Sequence, residues 1–182
     1  MLLPRYQFAY PYYRPETPDD HYRNNVFLER AFNNLPQTKL WQEQLLTNQF
    51  GLVVGTEVLD ASVTVSAEIG EQFLVCVSGL FGLTQINNNN VPSPAGTRGH
   101  MSLYAYREGT EFALQRVADW TVPTGGSNQW KFDCVGPLWK SDCNGLVRFY
   151  VKVSYLSAYY AYAATSSTAP FTMTVISYGI GD

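Results

Sequence analysis

Val147-Arg148-Phe149-Tyr150-Val151-Lys152-Val153-Ser154-Tyr155 decides the fold class. Val147, Phe149, Val151, Val153 and Tyr155 fall on one side of an extended chain, and Arg148, Tyr150, Lys152 and Ser154 on the other. A period of two is the pattern of a strand with one face against a core. The same period recurs on both flanks. Val63 and Val65 alternate with Ser62, Thr64 and Ser66, and Phe73, Val75 and Val77 with Leu74, Cys76 and Ser78. Trp130, Phe132 and Cys134 alternate with Gln129, Lys131 and Asp133, and Phe171, Met173 and Val175 with Thr172, Thr174 and Ile176. Further strands are expected at 52–58, 100–107 and 111–117. Ile69-Gly70, Glu108-Gly109, Gly125-Gly126 and Asn144-Gly145 punctuate these runs as turns. Strands at this spacing with no helix between them predict an antiparallel β-sandwich of the jelly-roll kind over residues 51–182.

Two loops interrupt that regularity. Asn87–Asn90 opens a polar stretch that runs to about Gly99. Ser157–Pro170 carries Tyr159, Tyr160 and Tyr162 between Ala161 and Ala163. Such a segment is either an exposed hairpin tip or a strand at a subunit interface.

The first 50 residues read differently. Residues 1–19 hold Tyr6, Phe8, Tyr10, Tyr12 and Tyr13 among Pro4, Pro11, Pro15 and Pro18. A stretch so short cannot bury its own rings, and it is too aromatic for a solvated linker. It is expected to be an extended arm lying in a groove of another protein. About 19 residues at ~3.3 Å each would reach roughly 60 Å.

Residues 20–50 are expected to be helical. Thr17 can cap, Pro18 suits the first turn, and Asp19 and Asp20 place negative charge there. The helix is expected to end near Asn34, before Pro36. Val26, Leu28, Phe32 and Leu35 belong to its apolar face, which must pack on something. A second short helix is expected over Thr38–Thr47, burying Leu40, Trp41, Leu45 and Leu46.

Composition narrows the function. Of 182 residues, 15% are charged, against ~25% in soluble domains. A surface so poor in charge suits coverage by other subunits. The net charge of −3 and the scattered Lys and Arg give no footprint for nucleic acid. No apolar run reaches the ~20 residues of a membrane-spanning helix, and Met-Leu-Leu-Pro-Arg has no secretory pattern. The expectation is therefore a protein made in a cytoplasm. Of the three cysteines, Cys76 sits mid-strand as a small core residue. Cys134 and Cys143 flank a loop and could bridge, though a cytosolic origin favours free thiols.

Catalytic patterns are absent. No Gly-X-Ser-X-Gly occurs, and neither His21 nor His100 stands at ligand spacing to the cysteines. No Gly-rich loop precedes a helix, so nucleotide binding has no support. Asp119, Asp133, Asp142, Glu108 and Glu111 form no recognisable acid pair. The reading is a non-enzymatic protein with no metal and no cofactor. Trp139, Tyr159, Tyr160 and Tyr162 are candidates for an outward or inter-subunit surface. Coplanar and exposed, Trp139 with Tyr159 or Tyr160 would instead make a platform for a glycan.

The layout resembles small virion proteins of tailed bacteriophages. The resemblance rests on a Pro-rich start and a helix ending Glu29-Arg30-Ala31-Phe32-Asn33-Asn34-Leu35-Pro36. Strands such as Ser62-Val63-Thr64-Val65-Ser66-Ala67, Phe73-Leu74-Val75-Cys76-Val77-Ser78-Gly79 and Leu103-Tyr104-Ala105-Tyr106-Arg107-Glu108-Gly109-Thr110 carry it further, with the closing Thr174-Val175-Ile176-Ser177-Tyr178-Gly179. Tumour-necrosis-factor-like ligands share this kind of jelly roll. The resemblance implies a homotrimeric head anchored to other virion proteins by its N-terminal arm and helix. It also implies a place in a minor tail structure or as a capsid decoration or head fibre; the alternative of another class is a carbohydrate-binding module for a host-surface glycan.

Overall fold

The computed structural model describes residues 39–86, 89–125, 129–157, 160–165 and 169–180. The chain divides into two units, Met1–Pro36 and Gln37–Asp182, and the described residues all belong to the second. The expected arm (Tyr6, Phe8, Tyr10, Tyr12, Tyr13), the helix face Val26, Leu28, Phe32 and Leu35, and Tyr159 lie outside the described residues.

Every regular element among the described residues is a strand, and every pairing is antiparallel. One sheet is built on β4 (Glu71–Ile86), whose sixteen residues span the whole sandwich. On one side β4 pairs with β11 (Thr172–Ile180) along its first half and with β10 (Tyr160–Ala164) along its second. On the other side it pairs with β8 (Gln129–Lys140) and β5 (Asn89–Pro92). The outer edge is formed by β1 (Lys39–Gln44) on β11 and β2 (Gln49–Leu52) on β10. The second sheet runs β3 (Glu57–Ala67), β9 (Gly145–Leu156), β6 (Arg98–Arg107), β7 (Thr110–Thr121). The fold is thus a jelly-roll sandwich.

The decisive stretch forms β9 as the alternation requires. Val147, Phe149, Val151 and Val153 are buried, and they meet Phe73, Val75 and Val77 of β4 in one continuous core. Phe149 lies 5.8 Å from Phe73 and 5.6 Å from Trp139, ring centre to ring centre. Tyr155, at the end of the same run, is exposed. Between β6 and β7 the turn has two residues, Glu108 and Gly109, both at positive φ (46° and 83°). That is the backbone twist a two-residue hairpin needs. The β8–β9 connection is the four residues Ser141–Asn144, not a tight turn at Asn144-Gly145. Asn144 Oδ1 there accepts the Ile69 amide at 2.8 Å.

Other expectations also need correction. Lys39–Gln44 is strand β1, not a second helix, and of the four residues expected to be buried only Leu45 is fully so. Leu40 and Leu46 are exposed and Trp41 half-buried. A free ladder edge on β11 outcompetes the weak helical preference of a six-residue stretch. Residues 53–56 form a turn, so the strand expected over 52–58 is split between β2 and β3. Within the segment after Ser157, Tyr160–Ala164 is strand β10, paired on both sides between β4 and β2, and not an exposed hairpin tip.

Cys76, Cys134 and Cys143 are all free thiols. Burial is the main reason the Cys76 and Cys134 thiols are pushed up from their ordinary value, with the Asp133 charge adding to it.

Candidate interaction surfaces

Tyr162 was expected on an outward or inter-subunit surface; it is buried inside this chain's own fold, 1% exposed. Its ring covers Gly82 on the neighbouring β4, which has no side chain to displace it. Its hydroxyl donates to Gln129 Oε1 at 3.2 Å, and its ring lies 5.5 Å from that of Phe50. Trp139 is half-buried, with its ring 6.1 Å from Phe73 and 5.6 Å from Phe149. Tyr160 pairs with Thr84 while Trp139 pairs with Phe73. Those positions are roughly 35 Å of strand apart at ~3.3 Å per residue. Trp139 and Tyr160 therefore form no common platform for a glycan.

The two outer faces of the sandwich differ in chemistry. On the β4 sheet, Leu40, Ile176, Leu74 and Leu138 stand directly opposite one another across β1, β11, β4 and β8. The next outward row is Gln42, Thr174, Cys76 and Val135, in the same strand order. Leu40 is 62% exposed, Val135 61% and Leu138 46%. These two rows hold no charged residue, while Lys140 and Asp133 lie beyond them on β8. The signal is visible in the sequence: Phe73-Leu74-Val75-Cys76-Val77 is apolar in both phases, as in a strand covered on both faces.

The outer face of the β9 sheet is polar and paired. Glu111 accepts from the Tyr150 hydroxyl and from Lys152 Nζ, at 2.5 Å for the lysine. Lys152 Nζ also sits 4.3 Å above the Tyr104 ring, which stacks on Tyr150. Arg148 pairs with Glu57 and lies 5.1 Å from the Tyr150 ring. Burial first, then the Glu111 hydrogen bond, raises the Tyr150 phenol far above its ordinary range.

Farther along this face a cross-strand row runs Tyr155 (β9), His100 (β6), Asp119 (β7). Arg98 donates from Nε to Asp119 Oδ1 at 3.1 Å and from Nη2 to Oδ2 at 2.9 Å. Arg116 donates from Nη1 to Oδ2 at 2.8 Å. The register shift between Met101 and Ser102 brings Arg116 within reach. Arg98's hydrogen bonds, helped by Arg116, hold the Asp119 carboxyl at about 2. His100 Nε2 lies 3.1 Å from Asp119 Oδ1 without hydrogen-bond alignment. Burial under Tyr155, whose ring centre is 4.9 Å away, lowers the imidazole below its ordinary value. This cluster was not legible in sequence, because its members are 57 residues apart at the extremes (Arg98 to Tyr155) and meet only through strand register.

Among the described residues no group of three or more His, Cys, Asp or Glu side chains is placed to hold a metal. The described residues contain no helix long and apolar enough to cross a membrane.

No known protein family matches the chain. No curated protein matches it either. Among solved structures the chain is similar to murine APRIL, crystallised at pH 5.0, at 11% identity. That match covers 77% of this chain and 98% of the other, with a TM-score of 0.48. It is also similar to chains of infectious bursal disease virus. The Gt strain matches at 13% identity and TM-score 0.32, and the Gx strain at 12% and 0.27. Each of these covers 78% of this chain, which spans about two fifths of the viral chains' length (41% and 39%).

Proposed function

We propose that this chain is a non-enzymatic virion structural protein whose sandwich assembles as a homotrimer. The observation that carries the reading is the uncharged, aliphatic outer face of the β4 sheet, centred on Leu40, Ile176, Leu74 and Leu138. An apolar centre within a polar rim is the make-up of a permanent subunit contact. The four aliphatic side chains alone fall short of the ~800 Å² each partner contributes to a stable interface. The contact therefore takes in the flanking row Gln42, Thr174, Cys76 and Val135.

Residues 1–19, with Tyr6, Phe8, Tyr10, Tyr12 and Tyr13, act as the anchor to other virion proteins. The segment bearing Val26, Leu28, Phe32 and Leu35, expected from the sequence to be helical, assists. The particle is built in the host cytoplasm. A minor tail or tail-tip position is the first assignment, and capsid decoration or a head fibre the second. The arm and helix expected from the sequence, ahead of the jelly roll, support both.

The test is the solution mass of the full chain by light scattering, beside Leu138→Asp. Leu138 is exposed, so the substitution leaves the fold intact. A mass near three times 20.5 kDa that falls to one chain in the variant supports the reading. A wild-type monomer overturns it. Deleting residues 2–18 should leave the trimer intact while abolishing incorporation into particles.

A further inference from the structure

We infer that Tyr155, Arg98 and Arg116, arranged around Asp119, form a binding site for a carboxylate-bearing sugar such as a uronic acid residue. The inference goes beyond assembly and uses the opposite face of the sandwich from the aliphatic rows.

The first observation is charge. Elsewhere on the described surface the ion pairs are one cation to one carboxylate: Arg148 with Glu57, Lys152 with Glu111, Arg107 with Asp142. Asp119 alone among them carries two guanidiniums. Two arginines on one carboxylate leave one positive charge in excess before His100 is counted, in a chain of net charge −3.

The second is the state of those guanidiniums. Their side chains are 49% and 51% exposed. Asp119 fixes each in place, and its hydrogen bonds engage only part of each planar set of five N–H donors. Two pre-oriented guanidiniums facing water are what bidentate capture of a carboxylate requires. The ordering of long, flexible side chains has already been met within the fold.

The third is Tyr155. One face of its ring lies on His100, and the residue is nonetheless 44% exposed. A flat π face accepts the polarised C–H bonds of a pyranose. Arg98 donates its backbone N–H to Ser157 Oγ at 2.8 Å, two residues beyond Tyr155, and lies two residues before His100, the strand partner of Tyr155. A six-membered ring seated on Tyr155 therefore brings an equatorial carboxylate toward the arginines. A simple inorganic anion would have no use for the aromatic face.

The experiment compares methyl β-D-glucuronide with methyl β-D-glucoside, which differ only in the carboxylate, by saturation-transfer NMR titration against the full chain. The glucuronide should bind at least tenfold more tightly. Arg116→Gln and Tyr155→Ser, both exposed positions, should each weaken it at least tenfold. Arg98→Lys keeps the charge but loses the fork and should weaken it too. Equal binding of the two sugars, or of neither, overturns the inference, as does undiminished binding in the variants. Inorganic phosphate competing as well as the glucuronide would show a plain anion site and overturn the sugar assignment. Binding retained by monomeric Leu138→Asp would separate this site from the assembly reading.

Discussion

The ring of Tyr162 occupies the space that a β-carbon on Gly82 would need. The two residues are paired directly across β10 and β4. The close approach allows Tyr162 to be fully buried without opening the sandwich. Gly79, three residues earlier on β4, receives Phe171 in the same manner.

Gly82→Ala should therefore destabilise by about 1–3 kcal/mol, the range for forcing volume into a packed site. Urea denaturation measures it. In the double variant Gly82→Ala/Tyr162→Leu the cost should be less than the sum of the two single costs. Strict additivity would mean that the ring is not the obstacle.

Burial raises the Tyr162 phenol to about 12. The unfolded chain releases this proton near pH 10, so the folded state holds one proton more between pH 10 and 12. Stability should be unaffected below pH 10 and should fall as pH rises toward 12. In Tyr162→Phe that slope should be smaller by one proton, read from denaturation midpoints across the window. An unchanged slope would place the phenol in contact with water.

Asp119 carries the opposite sign. Its carboxyl is held at about 2, from an ordinary 3.8, by the Arg98 and Arg116 hydrogen bonds. The stabilisation is present above about pH 4 and is lost as pH falls toward 2. Both arginines are half in solvent, so the effect should be below ~1 kcal/mol. Asp119→Asn should flatten the acid limb of the thermal-midpoint profile between pH 4 and 2. A variant with an unaltered limb would show that the pair adds nothing to the fold.

Asp60 sits at φ 59° within β3, where the register slips between Glu57 and Ser62. Beside it, the Gln49 side chain accepts the Leu59 N–H (2.9 Å) and donates to the Leu59 carbonyl (3.0 Å), standing in for a missing strand partner. Asp60→Gly should be neutral or slightly stabilising, and Asp60→Val should cost about 1–3 kcal/mol. Gln49→Ala should lower the thermal midpoint as well, because both bonds go at once. Equal midpoints for the Gly and Val variants would remove the strain argument.

Much of the sandwich could be read from the chain because strand alternation is a local property. Val147 through Val153, Val63 with Val65, and Phe73 through Val77 declare which face goes inward before any partner is known. Glu108-Gly109 likewise marks its hairpin through backbone preference alone. Sheet order and register are different, because they depend on residues far apart in sequence. Lys39–Gln44 has no strand signature and becomes β1 only because β11 offers an open ladder. Tyr162 looks like a surface residue until Gly82 is placed beneath it. The row Leu40, Ile176, Leu74 and Leu138 draws on four strands. Arg98, Arg116 and Asp119 meet Tyr155 only where β7, β6 and β9 pair. Composition and period determined the class of fold; long-range pairing, which no local pattern encodes, decided which side chains share a surface.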